Sequence, residues 1–140
     1  MDKFKCLMSF VIFLMVMISF NPMVIEAAEE CRVVQISGVG SPVSVRIEPE
    51  TLSISKDTCV VWINWARAVE VKLMFREGQK CAAATKAPTG FRMDAMNCLV
   101  TDYIPLGGTA SLMFAEEGAY DYEVGAASAT PQRGRIIVKK

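Results

Sequence analysis

Residues 43–64 read VSVRIEPETLSISKDTCVVWIN. Apolar and polar residues alternate over 43–47 and 51–55, and 58–64 is rich in β-branched and aromatic side chains, with Pro49 and Lys56-Asp57 as interruptions. A period of two places alternate side chains on opposite faces, so this stretch predicts three short strands joined by tight turns. Working outward, the same pattern recurs at 32–37 (RVVQIS), 69–75 (VEVKLMF), 109–114 (TASLMF), 119–124 (AYDYEV) and 135–139 (RIIVK), with Gly38, Gly40, Pro42, Gly107-Gly108, Gly118, Pro131 and Gly134 between. About eight strands with turn residues between them predict an all-β antiparallel sandwich or barrel.

Residues 76–106 break the pattern. They read as one long loop, with a turn or two of helix around 92–97, framed by Cys81 and Cys98. A Cys81–Cys98 disulfide is the preferred pairing there. It would remove about 3 kcal/mol of unfolded-chain freedom. Met74 and Met113 sit in strand patterns and are expected in the core.

Residues 1–28 have a charged start (Asp2, Lys3, Lys5), an apolar run from Cys6 to Phe20, a break at Asn21-Pro22, and Ala27-Ala28. This is the layout of a secretory signal peptide, and the run is shorter than the roughly 20 residues a membrane span needs. Cleavage near Ala27 or Ala28 leaves one domain, 29–140; an uncleaved anchor is the alternative and the only route to a membrane. Both place the domain outside the cytoplasm, secreted or periplasmic. Without residues 1–28 the chain keeps 13 of its 15 acids and 13 of its 15 bases. No net field is left to attract nucleic acid. Four cysteines remain, an even number that suits two disulfides in an exported chain. The chain has no histidine, which removes the commonest transition-metal ligand and the commonest general base. No serine has a base to activate it, so an enzyme is not expected.

Three stretches in order resemble the cupredoxins, the blue-copper family of plastocyanin and pseudoazurin: Ile47-Glu48-Pro49-Glu50-Thr51-Leu52-Ser53-Ile54 followed by Val60-Val61-Trp62-Ile63-Asn64, then Gly118-Ala119-Tyr120-Asp121-Tyr122, then Gly134-Arg135-Ile136-Ile137-Val138. The resemblance implies a Greek-key sandwich whose first strand runs parallel to the strand holding Trp62. It further implies a Cys31–Cys59 disulfide at one end of those two strands. Type 1 copper needs two imidazoles, one thiolate and a weak axial ligand. Counting along the family's pattern, Glu70 stands at the first His position, Val124 at the Cys position, Ala127 at the second His position and Gln132 at the axial position, with the ligand loop at its family length. The chain therefore reads as a degenerate member without copper.

No cofactor is expected; the alternative is copper, held as Cu(I) by Met93, Met96 and Cys98. The bland account of those methionines is gap filling beneath the long loop. Trp65 and Arg67 fall in the turn after Asn64, at the end where copper would lie, and are candidates for anchoring an unidentified protein or small ligand. Trp65 could equally cap the emptied end. A module acting through contacts is the expected function, with copper handling and a purely architectural envelope role as alternatives.

Overall fold

The structure is a computed structural model that describes residues 30–40, 43–67, 69–127 and 129–140. The proposed signal segment lies outside the described residues. The elements are β1 (Arg32–Val39), β2 (Ser44–Glu48), β3 (Thr51–Ser55), β4 (Thr58–Asn64), β5 (Val71–Phe75), α1 (Gly78–Ala84), β6 (Thr85–Thr89), β7 (Phe91–Met93), β8 (Leu99–Thr101), β9 (Thr109–Phe114), β10 (Gly118–Ala126) and β11 (Ala129–Lys139). They form two sheets, ordered β2-β1-β4-β9-β6 and β3-β11-β10-β5-β8-β7. This is a sandwich, one of the two forms the strand pattern allowed, in the cupredoxin-like arrangement that the resemblance implied.

The alternation read from the sequence is the alternation of burial. Val60, Trp62 and Asn64 of β4, Val71, Leu73 and Phe75 of β5, and Ala110, Leu112 and Phe114 of β9 all face the core. Trp62 sits at its centre, meeting Phe75, Phe91 and Tyr122 edge-on with ring centroids 5.9, 5.7 and 5.5 Å away. Fully burying a side chain of this kind contributes about 2–3 kcal/mol. β1 and β4 are parallel, from Arg32 opposite Val60 to Ile36 opposite Asn64. Their shared starting end is stapled by the Cys31–Cys59 disulfide, with the two Cα atoms 4.5 Å apart.

Residues 76–106 are not a long loop. They fold into α1 and three strands, and β6 joins the first sheet while β7 and β8 extend the second, so the chain crosses between sheets at Gly90. The helix lies at 78–84 rather than 92–97, where Asp94 instead closes a turn by accepting from the Met96 and Cys98 amides, each at 2.9 Å. A helix of under two turns shows no hydrophobic period, and three-residue strands show no alternation.

The expected Cys81–Cys98 bridge is not formed: both are buried free thiols. Backbone packing closes the segment in its place. Gly78 lies against the chain at Asn97–Leu99, where a Cβ would come within 2.3 Å of Asn97 O and Leu99 N. Burial pushes the Cys81 thiol up to about 12, leaving it protonated and a poor nucleophile. Met74 and Met113 are a second departure. Both are only half-buried, on the strand positions that alternate with the core-facing ones and so point away from the core.

Gly134 on β11 is paired directly with Tyr122 on β10. The Tyr122 ring covers the space a side chain would need: a Cβ at Gly134 would lie 2.2 Å from Tyr122 Cζ. Gly125, by contrast, faces open space. Gly134→Ala is expected to cost about 2–3 kcal/mol through overpacking, and Gly125→Ala to stay within about 0.5 kcal/mol; urea unfolding of the two variants measures the difference.

Candidate functional site

The end of the sandwich opposite the disulfide is organised by Asn64, the last residue of β4, whose side chain has no exposed surface. Its Nδ2 donates to Ile104 O at 2.8 Å and to Val69 O at 3.1 Å, and its Oδ1 accepts from the Ala66 amide at 2.8 Å. Its backbone N–H donates to Gly108 O and its carbonyl accepts from the Gly107 amide. One carboxamide and one peptide unit thus tie the 65–70 and 102–108 segments to β4. The Trp65 amide donates to Ile36 O, adding the end of β1. Ala66 is buried beneath, with its Cβ against the space above Gly38.

The four positions matched to copper ligands come out as follows. Val124 is wholly buried, flanked in the sheet by Leu73 on β5 and Gln132 on β11. Ala127 is exposed in the turn after β10, and Glu70 is exposed immediately before Val71, whose partner is Ala126. Glu70 and Ala127 therefore lie exposed at one end of the second sheet, while Val124 is in the core and Gln132, half-buried, is paired directly with it.

The segment between Val124 and Gln132 is a paired hairpin rather than an open loop. β10 and β11 stay paired past an irregularity between Val124 and Ala126, up to Ala126 opposite Ala129. Small side chains at 125–127 and 129 leave nothing to hold the strand ends apart. Among the described residues no group of three or more His, Cys, Asp or Glu side chains is placed to hold a metal. In the alternative Met/Cys set, Met96 is 77% exposed while Cys98 is buried, so its members sit in different environments.

Trp65 is 51% exposed and Arg67 is exposed beside it. The capping role falls to Ala66 and Asn64, since both are fully buried and Trp65 is not. Tyr103 and Leu106, 55 and 56% exposed, belong to the 102–108 segment that the Asn64 bonds hold, and Val39, 44% exposed, ends β1, which the Trp65 amide joins at Ile36. Sequence reasoning missed these three. Each is a single apolar residue at a strand end or in a connecting segment, outside any alternating run.

A charged face was also missed. An open groove of about 720 Å³ lies over β3, β11, β10 and β5, walled by α1. Its floor holds Glu123, only 11% exposed, which accepts a two-pronged contact from Arg76 at 3.0 and 2.9 Å and faces Arg133 at 3.5 Å. The Arg76 hydrogen bonds hold the Glu123 carboxyl below its ordinary range. Asp121 is held low in the same way by Arg135, its direct cross-strand partner. Asp121 and Glu123 lie in one alternating run, but their basic partners come from β11 and from Arg76, just after β5.

Solved structures similar to this chain are cupredoxins. One is the reduced Cu(I) form at pH 4 of a proline-to-glycine mutant of amicyanin, with a TM-score of 0.52 at 23% identity, over 81% of this chain and 87% of that one. Another is the reduced form of a tryptophan-to-tyrosine mutant of amicyanin, with a TM-score of 0.53 at 22% identity over the same shares. At this identity the likeness shows the fold alone. No family model matches the chain, and no curated protein matches it.

Asn64→Ala is expected to cost about 3 kcal/mol, because the Ile104, Val69 and Ala66 backbone groups would each lose a partner; Gln132→Ala, which removes no side-chain hydrogen bond among the described residues, should stay within about 0.5 kcal/mol in the same denaturation assay. The lowered Glu123 carboxyl gives stability that is fully present above its unfolded value of 4.5 and is lost as pH falls through its folded value. Glu123→Gln should therefore destabilise the fold at neutral pH and flatten the loss of stability between pH 5 and lower values, read from melting temperature against pH.

Proposed function

We propose that the chain is an exported, cupredoxin-like binding or structural module that works without type 1 copper and acts through contacts at the end built around Asn64. The observation that carries this reading is Val124. Where a copper thiolate would stand there is an apolar side chain with no exposed surface, paired on both sides, in a hairpin that closes beyond it. The chain has no histidine to supply the remaining ligands. The half-exposed Trp65 beside Arg67 gives the same end the amphipathic anchor that protein contacts favour.

Export is supported by the layout of residues 1–28 and by the Cys31–Cys59 disulfide, which suits an oxidising compartment. Catalysis is not part of the reading, because the chain has no histidine to serve as the base a serine nucleophile needs. The test is metal retention. After incubation with Cu(I) or Cu(II) and desalting, the protein should keep less than about 0.1 equivalent of copper and develop no visible charge-transfer band. Stoichiometric retained copper would overturn the proposal, and its loss in Met93→Leu/Met96→Leu would move the site to the methionines.

A further inference from the structure

We infer that the groove over the second sheet binds a singly charged oxyanion, a carboxylate or sulfate-type head on a small organic body, between Arg76 and Arg133. The groove shares no lining residue with the Asn64 end, so this is a second site rather than a detail of the first.

Three arginines face two carboxylates here. Asp121 is matched by Arg135, which donates to both of its oxygens. Glu123 is shared. Arg76 donates to both of its oxygens, and the Arg133 Nε approaches the same Oε1 at 3.5 Å. Two guanidiniums thus surround one carboxylate, and one positive charge is left without a counterpart. Lys80 does not add to it, because Glu77 pairs with it.

The open donors lie on the same two side chains. A guanidinium has five N–H donors in one plane and can grip an oxyanion along more than one edge. Arg76 uses its Nε–Nη2 edge on Glu123 and makes no other side-chain hydrogen bond among the described residues, which leaves the Nη1 end free. Arg133 makes no side-chain hydrogen bond among the described residues, and its side chain is 83% exposed. The groove's 720 Å³ suits a small organic molecule. Met74 and Ala119 in its lining add apolar surface for the body of the ligand.

The lining carboxylates select against a cation. Glu77, Asp121 and Glu123 each already have a basic partner. Only Glu50 has none among the described residues, and it sits at the β3 border, across β11 and β10 from the β5 side where Arg76 enters.

The experiment is an NMR titration of the isotope-labelled protein with phenyl sulfate at constant ionic strength, read at backbone amides and arginine Nε–H groups. Signals of Arg76, Arg133 and the strand residues beneath them should shift and saturate, with a dissociation constant on the order of 1–10 mM. Arg133→Gln should weaken binding about tenfold, and Arg133→Lys about threefold, because lysine keeps the charge and loses the planar fork. Glu50→Gln should strengthen it by removing a like charge from the border. Arg92→Gln, at the far edge of the same sheet and paired with Asp102, should change it less than about twofold. Melting temperatures confirm that each variant folds. No saturable shift up to about 50 mM, affinity unchanged in Arg133→Gln, or tighter binding of phenyltrimethylammonium at the same groove overturns the inference. Copper retention is measured separately, so a groove that binds no anion would leave the proposed function standing.

Discussion

A single carboxamide with no exposed surface holds one end of this sandwich together. Asn64 completes a β-strand with its backbone and then uses its side chain to satisfy three peptide groups on the segments that leave and return beside it. The Ala66 amide and the Val69 carbonyl depend on it most, since a buried peptide group left unpaired costs about 1–3 kcal/mol, while the Ile104 carbonyl also accepts from the Val71 amide. With them satisfied, Ala66 can be buried and Trp65 turned outward. The exposure of Trp65 is thus a consequence of a polar residue in the core.

The hairpin of β10 and β11 is shaped by a different pair of constraints. Tyr122 lies over Gly134, which seats a large ring in the core and fixes the pairing of the two strands. Further along, Val124 continues the apolar face where a ligand would have interrupted it, and the strands pair to their tip. The same hairpin turns Asp121 and Glu123 to the outside, where Arg135, Arg133 and Arg76 neutralise them. Holding the strands together and closing the hairpin to its tip are therefore one structural act.

Period-two alternation made eight strands legible, because each is long enough to put two or more apolar residues on one face. The parallel pairing of β1 with β4 and the Cys31–Cys59 bridge were reached through the family resemblance rather than through the residues themselves. What stayed hidden was short or non-local. The Gly78–Ala84 helix has too few turns to show a period, and β7 and β8 have three residues each. Cys81 and Cys98 suggested a bridge because the intervening segment looked unstructured, whereas Gly78 packing on the 97–99 backbone already closes it. At the candidate site the sequence located Trp65, Arg67 and Glu70. Tyr103 and Leu106 belong to a segment held there by bonds from Asn64 to Ile104, Gly107 and Gly108, about 40 residues away in the chain.

The central claim is that this end is completed by its own hydrogen bonds and needs no bound group to order it. Native-state amide hydrogen exchange on the metal-free protein tests it at residue level. The amides of Asn64, Trp65, Ala66, Ile104 and Gly107, all bonded within this end, should exchange only through unfolding events close in free energy to those that release β4 and β9. Fast exchange at these amides, with the strand amides still protected, would mean that the end is open without a ligand, and would contradict the account.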